Sequence, residues 1–144
     1  MWIPHARSGI PTELEQVCSG WSIGHRAQAD AKNTKTLMLK MAGSVEKIDS
    51  RVVYAAAQKK DHAAIRKIDE TCLALGIAIG NIIALLHPER IIIGGGVSLM
   101  GSLFWRGLRR ETRNFSLPAF ASQVDIVRAR LKENVVLLGA LNLE

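Results

Sequence analysis

The 144 residues carry a formal net charge of +6, and 48% of them are hydrophobic and 22% charged, a composition typical of a globular domain with its own core. The most apolar stretch, 73–86, is shorter than the roughly 20 residues that a membrane span requires, and no N-terminal segment resembles a secretory signal. These features argue against membrane and secreted proteins, and we expect a cytoplasmic protein.

The N-terminal part of the chain is predicted to contain one long helix. The first twelve residues are rich in proline and glycine and are predicted to be irregular. Thr12 is predicted to cap the helix, with Glu15 three positions later completing a capping box. The helix would then run to Ala31, although two internal glycines weaken it.

Shorter helical elements are predicted to follow. A polar connection, 32–36, leads to short helical pieces separated by Gly43 and Ser44. Asp49 or Ser50 is a suitable start for another helix that would reach the lysines at 59–60.

The strongest pattern in the sequence predicts a central helix. Its apolar residues recur at steps of three and four, which is typical of an amphipathic helix. They are Ile65, Ile68, Cys72, Leu75, Ile79, Ile82 and Leu86. The second half is also apolar on its other side, so we expect it to be buried nearly all round. Pro88 should end the helix.

The C-terminal part is predicted to form a strand–helix–strand unit. Residues 90–93 form a β-branched strand, Ser98 caps a helix from about 99 to 114, and 124–129 form a second strand. This spacing suits a right-handed crossover between two parallel strands, and a last helix, 134–143, follows. Two parallel strands make a marginal sheet, so we expect exposed apolar surface and self-association of the isolated chain.

Four arginines on the predicted helix 99–114 form one basic stripe: Arg106, Arg109, Arg110 and Arg113. Such a stripe could bind phosphates, but a solvated helix face has the same appearance. No recognition-helix, zinc-finger or RNA-binding motif accompanies it. We therefore do not expect nucleic-acid binding.

The glycine run Gly94-Gly95-Gly96 is the best candidate for a ligand site from the residues alone. It follows a strand that should be buried and precedes a helix, and ligands of open α/β sheets bind at such places. Glycine lets a backbone approach a ligand closely, and a helix amino terminus favours anions. The spacing matches neither a Walker loop nor a dinucleotide fingerprint, so a tight turn without a ligand remains an equal alternative.

Other polar residues provide weaker candidates. Glu15 and His5 could bind a polar substrate, but a capping box explains Glu15 and an ordinary surface loop explains His5 equally well. Cys18 and Cys72 lie far apart, without the spacing of a zinc site or a disulfide framework, and are expected to be buried. No set of residues for nucleophilic catalysis can be assembled.

Three segments of the sequence resemble proteins of the ROK family (repressor, open reading frame, kinase). The longest leads from an apolar helix through a His-Pro-Glu corner into a strand closed by glycines. The second is similar to the family's Cys-Leu-Glu-x-x-x-Ser-Gly segment, and the third to its final helix. These segments are 68–98, Leu14-Glu15-Gln16-Val17-Cys18-Ser19-Gly20, and 134–141 with Gly139-Ala140.

The resemblance implies an α/β protein with part of an actin-like, hexokinase-type (ribonuclease H-like) ATPase fold. Residues 1–144 would form the C-terminal, nucleotide-side lobe of a glucokinase-like sugar kinase that uses ATP and Mg²⁺. Residues Gly94 to Val97 (Gly94, Gly95, Gly96 and Val97) would face the nucleotide. Glu15 would bind sugar hydroxyls, and His5 would match the histidine upstream of that glutamate.

The sequence also departs from the family pattern. The family's cysteine-rich zinc motif is absent, and Glu13 stands where its last cysteine would be, so we expect no zinc. Nothing resembles the Asp-x-Gly-Gly-Thr phosphate loop or the Asn-Asp pair that supplies a general base. Phosphoryl transfer depends on positioning and charge stabilisation by such groups, so we expect no catalysis by these 144 residues alone.

Three hypotheses follow from these observations. The first is part of an ATP-dependent sugar kinase that contributes nucleotide contacts and one wall of the sugar site. The second is a non-catalytic sugar-sensing or regulatory module, as in the repressor branch of the family. The third is a domain that completes its sheet by forming a homo-oligomer.

Overall fold

The structure, a computed structural model, describes residues 1–4 and 9–130. Seven helices and four short strands lie within them. The helices are α1 (Glu15–Cys18), α2 (Gly20–Ala31), α3 (Leu37–Ala42), α4 (Ser50–Gln58), α5 (His62–Leu86), α6 (Ser102–Asn114) and α7 (Pro118–Ala121). The strands are β1 (Trp2–Pro4), β2 (Pro11–Glu13), β3 (Arg90–Ile93) and β4 (Asp125–Arg128). The predicted last helix, 134–143, lies outside the described residues.

The N-terminal segment pairs with itself, which corrects the prediction of an irregular segment. Strands β1 and β2 are antiparallel, with Ile3 opposite Thr12. The side chain of Thr12 donates to the carbonyl of Ile10 at 3.1 Å. Because Thr12 lies in a strand and α1 begins only at Glu15, the predicted capping box is wrong.

The predicted single helix from Thr12 to Ala31 is two helices that meet at Ser19. The backbone of Ser19 is extended, and its hydroxyl accepts a hydrogen bond from the Ser22 amide at 3.2 Å. This is the geometry of a helix cap. A cap in the middle of the pattern therefore ends α1 and starts α2 in a new direction.

The elements predicted between α2 and α5 are confirmed. Gly43 ends α3 in the left-handed conformation at φ +80°, where glycine carries no steric cost. A 3₁₀ turn, Val45–Lys47, follows. The carboxylate of Asp49 then caps α4 by accepting from the Val52 amide at 2.8 Å.

The central helix α5 is confirmed in position and length. Asp61 caps its start by accepting from the Ala64 amide at 2.8 Å, and His87 ends it in the left-handed region at φ +45°. Its apolar face packs into the main core. The expectation that its second half is buried all round is wrong at the last turn, where Leu85 is 78% and Leu86 is 73% exposed, because this turn extends beyond the crossing with α6.

Helices α5 and α6 approach each other closely enough to touch backbone to backbone. A Cβ on Gly76 would lie 2.5 Å from the Cβ of Glu111 and 3.0 Å from the Thr112 nitrogen. One turn later, a Cβ on Gly80 would collide with the carbonyl of Phe115. This crossing is possible only because two glycines lie four residues apart on one face of α5.

The predicted strand–helix–strand unit is confirmed as two parallel strands. Strand β3 pairs with β4 in register, with Ile91 opposite Ile126. Ile91 and Ile93 are half-buried against the core, whereas Ile92 is 63% exposed on the other face. The expectation of a buried strand is therefore wrong, because among residues 1–4 and 9–130 only one face of this two-stranded sheet is covered.

The predicted start of the helix after the glycine run is also wrong. Residues Gly96–Leu99 form a 3₁₀ turn, and α6 begins three residues later at Ser102. The four arginines of the basic stripe lie exposed along α6. Within it, the Arg110 guanidinium contacts the carboxylates of Glu111 at 2.7 Å and Asp69 at 3.5 Å. The stripe is thus a solvated helix face with acidic partners on the protein itself.

Helix α5 is the one described helix that is long and apolar enough to cross a membrane by length and composition. Half of its most apolar window is buried within the protein. Core helices of soluble proteins share this composition, and the packing against α4 and α6 explains it here.

We expect the substitution Gly76→Ala to lower the free energy of unfolding by about 1–3 kcal/mol, because the new methyl group would force α5 and α6 apart. Alanine normally favours a helix over glycine, so the sign itself identifies the close contact. Gly20→Ala is the control, since a Cβ there would meet only the Ser50 side chain, whose movable hydroxyl would lie at 3.2 Å. Urea unfolding followed by circular dichroism measures both changes. A Gly76→Ala chain as stable as the parent would contradict the expectation.

Candidate functional site

The glycine segment between β3 and α6 is held from beneath by buried hydrogen bonds. Gly95 has φ +75°, a conformation that favours glycine. The fully buried Ser98 donates its hydroxyl proton to the Gly95 carbonyl at 2.7 Å. The Trp105 indole in turn donates to the Ser98 carbonyl at 3.2 Å. Ser98 therefore fixes the turn from inside. The prediction that Ser98 caps the helix is wrong.

A groove of about 430 Å³ separates the glycine segment from the starts of α2 and α4. This volume falls in the range of small-molecule sites. Three segments that are distant in the sequence line it: Gly20 and Trp21; Asp49, Ser50, Arg51 and Tyr54; Gly96, Leu99 and Met100. The groove is the candidate functional site, because it lies directly against the glycine run.

Tight packing holds the walls of the groove in place. A Cβ on Gly24 would lie 3.1 Å from the Asp49 Cα, so α2 and the start of α4 are in close contact. On the opposite side, a Cβ on Gly101 would lie 3.3 Å from Cζ of Tyr54. The hydroxyl end of the Tyr54 ring therefore packs against Gly101, the residue that precedes α6. The groove thus has two walls that are each fixed by a glycine.

The structure brings only some of the predicted site residues to the groove. Gly96 lines it, whereas Gly94 and Gly95 lie exposed beside it, and Val97 packs half-buried against the main core. Glu15 is exposed at the start of α1, five residues before the groove-lining Gly20. His5 lies outside the described residues.

Sequence reasoning missed the opposite wall of the groove. Trp21 and Tyr54 reach the site on separate helices, and in the sequence each looks like an ordinary residue of an amphipathic helix. No local signal identifies Trp21, because only the structure shows that its side chain on α2 is 75% exposed.

The short helix α1, which carries Glu15, is tied to the rest of the molecule through Arg26. The Arg26 guanidinium donates to the Val17 carbonyl at 2.7 Å and to the Thr71 hydroxyl at 3.2 Å. It also pairs with Glu70 at 2.5 Å. This charge-assisted network positions α1 against α5.

A buried lysine extends this network. Lys67 is 2% exposed, and its ammonium lies 2.8 Å from the Asp30 carboxylate and 3.1 Å from that of Glu70. Two carboxylates thus surround Lys67, and Arg26 contacts Glu70 from the other side. A buried charge is costly without such partners, so this cluster fixes the register between α2 and α5.

The two cysteines are not candidates for chemistry. Burial raises the pKa of the Cys18 thiol to about 12. Burial, with the nearby Asp69 carboxylate as a second cause, raises the pKa of the Cys72 thiol to about 12. Both are free cysteines, and a thiol that keeps its proton is a poor nucleophile and metal ligand. In residues 1–4 and 9–130, no three His, Cys, Asp or Glu side chains cluster as a metal site would require.

Comparison with known proteins places this arrangement in a family. The model of the ROK family matches residues 7–144, nearly the whole chain. The chain belongs to the ROK family. The family resemblance of the three sequence segments is thereby confirmed.

Curated relatives of this ROK chain include both kinases and regulators. A glucokinase of Thermotoga maritima is 31% identical over 141 residues, which are 97% of this chain and 44% of the glucokinase. A putative xylose repressor of a Caldicellulosiruptor species is 31% identical over 101 residues, which are 68% of this chain and 25% of the repressor. The ROK chain thus spans less than half the length of these relatives.

Solved structures confirm the fold at the level of the family. A ROK glucokinase from Streptomyces griseus, solved with glucose and AMPPNP, aligns with a TM-score of 0.78 at 26% identity, over 97% of this chain and 47% of that one. A ROK transcriptional regulator homologous to E. coli MLC aligns with a TM-score of 0.68 at 28% identity, over 86% and 31%. The helix-rich α/β class with a small parallel sheet is therefore confirmed.

Because both thiols keep their protons when folded, we expect the stability of the chain to fall as the pH rises from about 9 to about 12. In this window the unfolded chain loses thiol protons that the folded chain retains, which favours unfolding. Urea unfolding at a series of pH values measures the slope. The double variant Cys18→Ala/Cys72→Ala should show a shallower slope, since lysine and tyrosine titrations remain. An equal slope in both proteins would contradict the assigned burial.

Proposed function

We propose that this chain is the nucleotide-side, C-terminal lobe of a sugar kinase with an actin-like, hexokinase-type fold. The groove beside the glycine segment is the observation that carries the proposal. It joins an exposed run of glycines to a cleft large enough for a nucleotide. The S. griseus glucokinase complex, which contains AMPPNP, supports a nucleotide as the occupant.

In this proposal each predicted residue has a defined role. Gly94, Gly95, Gly96 and Val97 form the nucleotide-binding segment, in which the three glycines, having no side chains, let phosphates approach the backbone closely. Glu15 and His5 contribute to the wall of the sugar site. An exposed carboxylate such as Glu15 accepts hydrogen bonds from sugar hydroxyls. The intact enzyme would transfer a phosphoryl group from ATP to a hexose hydroxyl in the cytoplasm.

The described residues at the groove do not form a magnesium site. Asp49 is the one carboxylate among the groove residues of the described ranges, and one of its oxygens already caps α4. Magnesium usually needs more oxygen ligands than this and retains several waters. In the proposal Mg²⁺ accompanies ATP in the intact enzyme, and we assign it no ligand in this chain.

These 144 residues alone should not catalyse the reaction. The resemblance identifies in them neither a phosphate loop nor a general base, and phosphoryl transfer depends on both. The proposed contribution of the chain is therefore binding and positioning.

A second candidate function is a sugar-sensing regulatory module without catalysis. The similarity to a putative xylose repressor and to a ROK transcriptional regulator favours it. The two functions differ in their ligands. A kinase lobe should bind nucleotide at the groove, whereas a sensor module should respond to sugar alone.

We expect the chain to bind AMPPNP in isothermal titration calorimetry, and Gly96→Leu to weaken this binding at least tenfold because the leucine side chain would occupy the groove. A Cβ on Gly96 meets no atom within 4 Å, so the variant should melt at the temperature of the parent. Ser102→Leu is the control, since it adds the same side chain at an exposed position outside the groove.

The same titration with hexoses and pentoses separates the two candidate functions. Binding of AMPPNP that depends on Gly96 supports the kinase lobe. A chain that binds a sugar but no AMPPNP supports the regulatory module. Equal AMPPNP affinity in the parent and Gly96→Leu would show that the groove is not the nucleotide site.

We also propose that the isolated chain forms a homo-oligomer through its exposed apolar surface. Leu85, Leu86 and Ile92 are each more than 60% exposed at the end of α5 and on the open face of β3. Multi-angle light scattering should show a mass above that of the monomer, and Leu85→Glu/Leu86→Glu should reduce it. Ala84→Glu, at an exposed position of the same helix, is the control. A monomeric parent would contradict the proposal.

A further inference from the structure

The side chain of Trp21 makes no contribution to the hydrophobic core of the described residues. It is 75% exposed. Its ring lies stacked on that of His25, one helical turn later, with centroids 5.3 Å apart and planes inclined by 14°. The indole is thus oriented by its neighbour on α2 while remaining open to solvent.

The indole belongs to the groove beside the glycine segment. Trp21 lines one side, and Gly96 and Leu99 line the side that continues from the glycine run. Leu99 is 37% exposed, which is high for a leucine. The groove therefore offers a flat aromatic ring on one side and apolar or side-chain-free surface on the other.

A planar aromatic ligand suits this arrangement. Nucleobases stack on tryptophan through their π-faces, whatever hydrogen bonds they make at their edges. A hexose presents hydroxyl groups around its ring and needs several polar partners that are free to bind it. Two of the polar groove residues are already engaged in the fold: Asp49 caps α4, and the Tyr54 hydroxyl accepts from the Gln58 amide at 3.4 Å.

We propose that Trp21 stacks on the nucleobase and makes this groove selective for purine nucleotides, with His25 as the positioning residue that holds the indole in place. This inference rests on the proposed function, because it assumes that a nucleotide lies along the glycine segment. A purine has a larger π-face than a pyrimidine, so it gains more from the indole. The phosphates would then extend from the base toward the glycines.

Isothermal titration calorimetry of the whole chain with AMPPNP tests the stacking. Trp21→Ala should weaken binding on the order of tenfold to a hundredfold, the range that stacking of a base on an aromatic residue supplies. Trp21→Phe keeps an aromatic face and should lose much less. Trp2→Ala is the matched control, because Trp2 is also exposed, at 65%, but lies on β1 outside the groove.

Two further measurements distinguish stacking from a general loss of binding. Inorganic tripolyphosphate lacks a base, so Trp21→Ala should bind it as the parent does. In a Trp2→Phe background, AMPPNP should quench the tryptophan emission, and Trp21→Phe should abolish the quenching, since the remaining Trp105 is buried. The parent should prefer AMPPNP over the corresponding uridine analogue, and Trp21→Ala should lose this preference.

The outcomes separate this inference from the proposal on which it rests. If the parent binds neither AMPPNP nor tripolyphosphate, the proposed function fails and the inference fails with it. If the parent binds AMPPNP and Trp21→Ala binds it equally well, only the inference is overturned. Quenching by glucose but not by AMPPNP would also overturn it, since Trp21 would then face a sugar.

Discussion

The close crossing of α5 and α6 is the contact on which the rest of the structure depends. Gly76 and Gly80 bring the backbones of the two helices together, and Gly107 on α6 leaves room for the Cys72 side chain of α5. Dispersion forces weaken steeply with distance, so such a crossing gains contacts along its whole length. It also leaves no room for any residue larger than glycine at these positions, because an added side chain would separate the helices.

This crossing determines where the candidate site forms. Helix α6 follows the glycine segment after a single 3₁₀ turn, so fixing α6 on α5 also fixes the glycines. Helix α4 packs on the same α5 and carries Tyr54, which contacts the residue before α6. Both walls of the groove are therefore positioned by packing on α5, and the distance between them is set by the packing of the core.

The charged cluster around Lys67 plays a different part from the glycine crossing. Burying the Lys67 ammonium beside two partly buried carboxylates is expensive, and an apolar replacement of similar volume can be as stable. The cluster instead determines how α2 is aligned along α5, because Lys67 can reach Asp30 and Glu70 together only in one register of the two helices. Through Arg26 and the Val17 carbonyl, the same network places the helix that carries Glu15.

The sequence predicted the elements whose signals are local. The spacing of apolar residues indicated α5, and Asp49 and Gly43 marked helix ends that the structure confirms. The errors came where a distant contact decided the outcome. Ser98 looks like a helix cap, but its hydroxyl is turned inward to Gly95. The exposure of Leu86 depends on where α6 crosses, which no local pattern records.

The candidate site was also only partly predictable from the sequence, because distant contacts assemble it. The glycine run is visible in the sequence because three consecutive glycines are unusual, and it predicted one wall of the groove. The opposite wall consists of Trp21 and Tyr54, more than thirty residues apart on two helices, and only the packing of both helices on α5 brings them together. A site that is assembled by a core in this way can be conserved in shape while its lining residues vary. That is consistent with one fold serving both as a glucokinase and as a transcriptional regulator among its relatives.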